Sequence, residues 1–430
     1  MLIELDSLGQ APTKVYTQYC LCYRAENNGL VESAAKTIED GLKVFSKLFP
    51  WTCGKVSEID GRFYVTSYRS VISPVIQDLR GNAEYDWANL ESLGFPLKLL
   101  DEEVICPVKT LIATGDGATE PVCLVQLTMV TGGVILCFLG HHQVMDGVGQ
   151  QTMFSLLSKC CEGLVLSPHE IASGDLSAAP KIPLLDAKLD IAKLIDNNVT
   201  HNCPVGPTPP RLQVQQEWRT FRVAASELTR LRDQCEPFLS SSNSFASMDD
   251  ILTARLWQSV VRARMHRLDK NERTHLARAV DSRPYLGMYD HPGCVQTMLY
   301  SGYIVEDILR MPLGHIALNL RAQLQDTSQV VLKTRGSATL LSERPGIPQP
   351  LGTVPSQDLV LSSWAKMNQY GLTLGLRLGK PVAVARPLFA AVEGLAYFLP
   401  KAPNGDISVM ICLASDDMVN FVSFFANSTD

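Results

Sequence analysis

His141-His142-Gln143-Val144-Met145-Asp146-Gly147 is the stretch on which this chain turns. An apolar run, Val134 to Leu139, leads into it, and Gly140 opens a turn. A continuous apolar run reads as a strand buried on both faces. The strand thus delivers two histidines to a turn, with an aspartate four residues past the second. Neutral imidazole is the side chain best suited to taking a proton near pH 7. His142 is the candidate general base and Asp146 its candidate positioner, as in a catalytic triad. Gly140 and Gly147 allow close backbone approach. A His-x-x-x-Asp spacing also arises by chance, and a packed loop histidine is the alternative.

Outward from the motif, the chain alternates strands and helices. Val15–Tyr23 reads as a first strand. Val31, Ala34, Ala35, Ile38, Leu42, Phe45 and Leu48 recur at helical spacing up to Pro50. Val122–Val130 and Val134–Leu139 are strands joined by Thr131-Gly132-Gly133, a hairpin signal. Val148, Phe154, Leu157 and Cys161 predict a helix after the motif, running to Glu162. The segment from 197 to 214 holds Pro204, Pro207, Pro209 and Pro210, which exclude regular helix or central strand. It reads as a crossover between two halves, 1–196 and 215–430. Beyond it come a strand, Gln215–Val223, and a helix from Ser226. Ser247 and Asp250 have capping-box spacing ahead of Ile251 and Leu252. Strands are predicted at Leu276–Val280, Leu359–Ser363 and Ile407–Leu413, and a last helix at Ser415–Phe425.

Composition bounds the rest. The 430 residues exceed one ordinary core, so two domains of about 200 residues are expected. Apolar residues make up 46% and charged residues 19%, which excludes a disordered chain. A net charge of −6 gives no reason to propose nucleic acid as a partner. No apolar run approaches the ~20 residues of a membrane span, and no signal peptide is read at the N-terminus. The twelve cysteines show no Cys-x-x-Cys spacing and sit in apolar runs. They are expected to be buried free thiols in a reducing, cytoplasmic setting, with no metal bound.

His-His-x-x-x-Asp-Gly resembles the catalytic motif of the BAHD acyltransferases, which move acyl groups from coenzyme A thioesters to hydroxyls or amines. Four further stretches resemble the same family: Ser247-Met248-Asp249-Asp250-Ile251-Leu252-Thr253-Ala254 through Trp257, Val280-Asp281-Ser282-Arg283, Ser362-Ser363-Trp364, and Gly375-Leu376-Arg377-Leu378-Gly379-Lys380-Pro381. Leu5-Asp6 and the helix end at Phe49-Pro50 resemble fungal members, among them trichothecene O-acetyltransferases. The resemblance implies an α/β fold of two chloramphenicol-acetyltransferase-like domains, mixed sheets flanked by helices, with a solvent channel between them. It implies a monomer that takes acetyl-CoA or another acyl-CoA as co-substrate. The acceptor would be a hydroxyl of a small secondary metabolite: a terpenoid, polyketide or alkaloid. His142 would be the base in a ternary complex.

The family's aspartate turns from the imidazole to pair with an arginine, and Arg283 holds the matching position. Contact of Asp146 with His142 is the alternative. His141 is expected to point elsewhere if the two histidines alternate. Ser362 and Trp364 match residues lining the family's reaction centre, where an indole N–H or a hydroxyl can donate to an oxyanion; Trp364 as a plain core aromatic is the alternative. The glycine-rich loop keeps Gly375 and Gly379 but has Thr373-Leu374 where the family has Asp-Phe. That departure puts loop packing in doubt and leaves open a second reaction class. In it His142 would serve a coenzyme A-independent cyclisation, elimination or isomerisation.

Overall fold

The computed structural model describes residues 1–112, 119–186, 214–242, 245–347 and 352–425. The crossover expected over 197–214 lies outside the described residues, apart from Val214.

The first half is organised on a five-stranded sheet. Four of its strands are β1 (Tyr16–Arg24), β2 (Val75–Asp78), β3 (Cys123–Val130) and β4 (Gly133–His141). β4 lies between β1 and β3, antiparallel to both. Helices α1 (Asn28–Leu48) and α2 (Gly147–Cys161) pack on one face. The alternation of side chains along a strand explains the unbroken apolar runs. Tyr19, Leu21 and Tyr23 of β1, with Val134, Leu136 and Phe138 of β4, join the core under the helices. Cys20, Cys22, Ile135, Cys137 and Leu139 fill a second core on the opposite face. The hairpin between β3 and β4 turns at Gly132, whose φ of +82° suits glycine. A fifth strand, Ala383–Ala385, comes from the other half and pairs with β1 at the sheet edge. The return strand therefore ties the second half to the first sheet.

The register sets Cys20 opposite Cys137, with Cα atoms 4.4 Å apart, and joins them as a disulfide. This corrects the expectation of free thiols for that pair. The residues are 117 positions apart in sequence, and only strand pairing makes them neighbours. Nine other described cysteines are free thiols.

The second half carries a six-stranded mixed sheet. Its strands are β5 (Gln216–Val223), β6 (Arg273–Asp281), β7 (Gln296–Ile304), β8 (Leu359–Ser363), β9 (Leu395–Phe398) and β10 (Ile407–Ala414), in the order β7-β6-β8-β9-β10-β5. α3 (Met248–Ala263) opens with a complete Ser247/Asp250 capping box and buries Ile251, Leu252, Leu256 and Trp257. α4 (Ser415–Phe425) packs beside it. No described helix is long and apolar enough to cross a membrane.

Candidate active site

The motif sits where β4 ends against the second half. His141 closes the strand and His142 begins the turn. Strand parity sends them to opposite faces. His141 is buried, its Nε2 lies 3.1 Å from a carboxylate oxygen of Glu120, and its Nδ1 accepts the Gln143 N–H at 3.3 Å. Since Nδ1 accepts, Nε2 carries the proton and donates to Glu120. Both nitrogens are engaged in holding the turn.

His142 is half-buried, with its N–H on the Val15 carbonyl at 2.8 Å. Burial pushes its pKa below the ordinary imidazole value. A hydrogen bond from the ring to its own backbone carbonyl and the charge of Asp146 pull upward, and the charge of Arg386 adds to the depression. Burial thus favours the neutral imidazole, the form a general base requires.

Asp146 is committed elsewhere. It is buried, caps α2 by accepting the Gly149 N–H at 2.9 Å, and accepts the Val295 N–H at 2.7 Å. Arg283 grips both carboxylate oxygens, each at 3.0 Å. Burial raises the pKa of Asp146, but the guanidinium and the two N–H donors outweigh it and hold the carboxyl below its usual range. Arg283 also donates to the carbonyls of His291 and Gly293 and to Asp281. Asp146 and Arg283 therefore clamp the 291–295 loop onto the N-terminus of α2. Gly149 meets that loop so closely that a Cβ there would stand 2.2 Å from the Pro292 carbonyl oxygen.

Across the seam, Trp364 packs its ring 4.7 Å from that of Tyr19. Its indole N–H donates to Ser362 Oγ at 3.1 Å. The Tyr19 hydroxyl donates to the Gly147 carbonyl at 3.0 Å. A Cβ on Gly147 would lie 3.3 Å from that hydroxyl, 3.7 Å from Trp364 Nε1 and 3.0 Å from Met367. Ser362 and Trp364 are thus brought to the motif. Because the indole proton is spent on Ser362, the Ser362 hydroxyl is free to donate its own. Ser363 donates instead to Asp249 at 2.5 Å.

The glycine-rich loop is not brought there. Gly375 lies against the Cys161 carbonyl, at the far end of α2 from the motif; fifteen residues make that about 22 Å. Thr373 donates to Glu162, and Leu374 is fully buried with its N–H on Ser158. A hydroxyl and an aliphatic side chain settle this loop without the family's Asp-Phe. Gly375 and Gly379 have φ of +61° and +76°.

Sequence reasoning missed Tyr19, Met367, Arg386 and the 291–295 loop. Tyr19 lies within the predicted first strand and the others in no motif-like context, and each reaches the site through tertiary packing. Cys20, Cys106 and Cys137 bring three sulfurs close together, but two are bonded to each other, on the sheet face opposite His142.

A family described as Trichothecene 3-O-acetyltransferase-like N-terminal domain matches residues 15–161, and one described as Transferase family matches residues 90–427. Trichothecene 3-O-acetyltransferase TRI101 of Fusarium sporotrichioides is 35% identical, covering 97% of this chain and 94% of that protein. The O-acetyltransferase dmxR13 of a Cryptosporiopsis species is 34% identical, covering 96% of this chain and 94% of that protein. The crystal structure of F. graminearum TRI101 complexed with coenzyme A and deoxynivalenol superposes with a TM-score of 0.90 at 34% identity, covering 97% of this chain and 96% of that one. Vinorine synthase, at 17% identity and a TM-score of 0.67, shares the two-domain fold. These relatives do not favour the coenzyme A-independent alternative. The chain belongs to the Transferase family of BAHD acyltransferases and is an acyl-CoA-dependent acyltransferase.

Proposed function

We propose that this protein is an O-acetyltransferase that moves an acetyl group from acetyl-CoA to a hydroxyl of a small secondary metabolite. The observation that carries the reading is His142 itself, set in the turn after β4 beside the Asp146–Arg283 clamp, with its neutral form favoured by burial. An alcohol is far too weak an acid to ionise near neutrality, so it must lose its proton as it attacks. Positioned general-base catalysis contributes about 10²–10⁴-fold. His142 takes that proton and returns it to the departing thiolate. The Ser362 hydroxyl, backed by the Trp364 N–H, donates to the oxygen of the attacked carbonyl. Asp146 and Arg283 hold the turn that aims the base and do not share its proton. The thioester is already activated, so no covalent enzyme intermediate is needed.

Two domains, 1–196 and 215–430, joined by the 197–214 crossover, would leave a channel between them through which donor and acceptor meet at His142. Relatives crystallised with coenzyme A and trichothecenes support a terpenoid acceptor, ahead of a polyketide or alkaloid. We place the protein in the cytoplasm as a monomer. The test incubates the protein with labelled acetyl-CoA and an acceptor pool and follows label transfer by mass spectrometry. H142A should bind donor as the wild type does and lose about 10²–10⁴-fold in turnover. A variant keeping more than half the rate overturns the assignment of the base.

A further inference from the structure

We propose that the cavity between the edges of the two sheets is an anion subsite, in which Arg386 receives a carboxylate or phosphate group of a ligand. The first sheet ends there at Ala383–Ala385 and the second at β5. Between them lies a cavity of about 210 Å³, lined by Thr220, Arg222, Tyr370, Arg386, Asp406 and Ser408 among others. That is several times the ~30 Å³ share of one water, enough for a small oxyanion and its hydration.

Arg386 is 3% exposed. Tyr397, Phe389 and Trp364 cage its guanidinium carbon, with ring centres at 4.4, 4.5 and 5.4 Å. Among the described residues no hydrogen bond or ion pair engages the guanidinium, and its Nε is buried without a partner. Aromatic faces attract the cation but leave its in-plane N–H groups unsatisfied. A buried charge without a partner is costly, and an oxyanion matches the planar N–H fork. The other charges lining the cavity cancel, because Arg222 is paired with Asp406. One positive charge is therefore in surplus. Thr220, Tyr370 and Ser408 add neutral donors to the wall.

Arg386 links this cavity to the motif, since it lines the cavity and packs on Trp364, which contacts Tyr19. The field of Arg386 also reaches His142 and favours its neutral form. Two sources could supply the anion: a phosphate of coenzyme A or a carboxylate on the acceptor. Binding does not depend on His142 acting as a base, so the proposal stands apart from the catalytic reading.

The test is isothermal titration of the full chain with inorganic phosphate and with acetate, at constant ionic strength. At least one should bind saturably at one site. R386M should weaken it about tenfold or more, as expected for loss of one charged hydrogen-bonding partner, whereas R386K should weaken it less. H142A should bind as the wild type does. If R386M does not fold, R386Q takes its place. Displacement of the probe by coenzyme A assigns the site to donor phosphate, and joint binding assigns it to an acceptor carboxylate. No saturable binding of either probe, or equal binding by R386M and wild type, overturns the proposal.

Discussion

Replacing Asp146 by alanine tests the clamp that sets the active-site turn. The carboxylate accepts four hydrogen bonds, two from Arg283 and one each from Gly149 and Val295. Both members of the ion pair are buried, at 2% side-chain exposure each. Removing one member of a buried pair costs about 3–5 kcal/mol. Loss of the helix cap alone accounts for about 0.5–2 kcal/mol, and the two are not additive because they share one carboxylate. Arg283 keeps Asp281 at 2.8 Å and two carbonyl partners, which favours the lower end, near 3 kcal/mol. For a half-chain of this size that corresponds to a fall of about 6–12 °C in the melting temperature. D146N keeps the cap and loses the charge, so it should fall between D146A and wild type. The assay is thermal unfolding of wild type, D146A, D146N, R283A and the D146A/R283A pair. The double variant should lose less than the two single losses added, by about 0.5–3 kcal/mol. D146A melting within a degree of wild type, or purely additive losses, would refute the reasoning.

Four further outcomes follow from the same geometry. The pKa of His142 lies below the ordinary imidazole value, and the base must be neutral. kcat/KM should therefore stay level through neutral pH and fall only as pH drops below about 6.5. A limb centred above 7 contradicts the burial argument. Stability carries the same sign, because protons bind the unfolded imidazole more readily than the buried one. His141 and His142, both depressed, should cost stability as pH falls through about 6.5 towards their lower folded values, which melting curves between pH 5 and 8 would reveal. S362A should lower kcat by about 10²–10³-fold with little change in donor affinity, the loss typical of one oxyanion donor; an unchanged kcat removes Ser362 from that role. Double-reciprocal plots should intersect, as direct transfer between two bound substrates requires. Parallel lines, or an acylated enzyme trapped without acceptor, would return attention to a nucleophilic side chain.

Local signals made much of the fold legible. The 3.6-residue spacing of Val31, Ile38, Leu42 and Phe45 became the buried face of α1, and the Ser247/Asp250 capping box starts α3. β8 covers Leu359–Ser363, the bounds read from its apolar and hydroxyl residues. Each of these rests on contacts within one turn or along one strand. β7 and the helices Leu313–Gln325 and Thr327–Glu343 went unread. Their buried positions include Thr297, Ser301, Gly314, Thr334, Gly336 and Thr339, so the apolar periodicity there is weak.

At the site, the sequence by itself separated His142 from His141, because strand parity and turn chemistry act over a few residues. Tertiary structure alone decided what surrounds it. Arg283 lies 137 residues from Asp146, Leu372 lies 349 from Tyr23, and Cys137 lies 117 from Cys20. Pairings at such separation depend on strand order and on the return of Ala383–Ala385 to the first sheet, which no local pattern encodes. The unpaired charge of Arg386 belongs to the same class. In sequence it is one arginine among many, and only the cage of Trp364, Phe389 and Tyr397 makes it a buried cation in want of an anion.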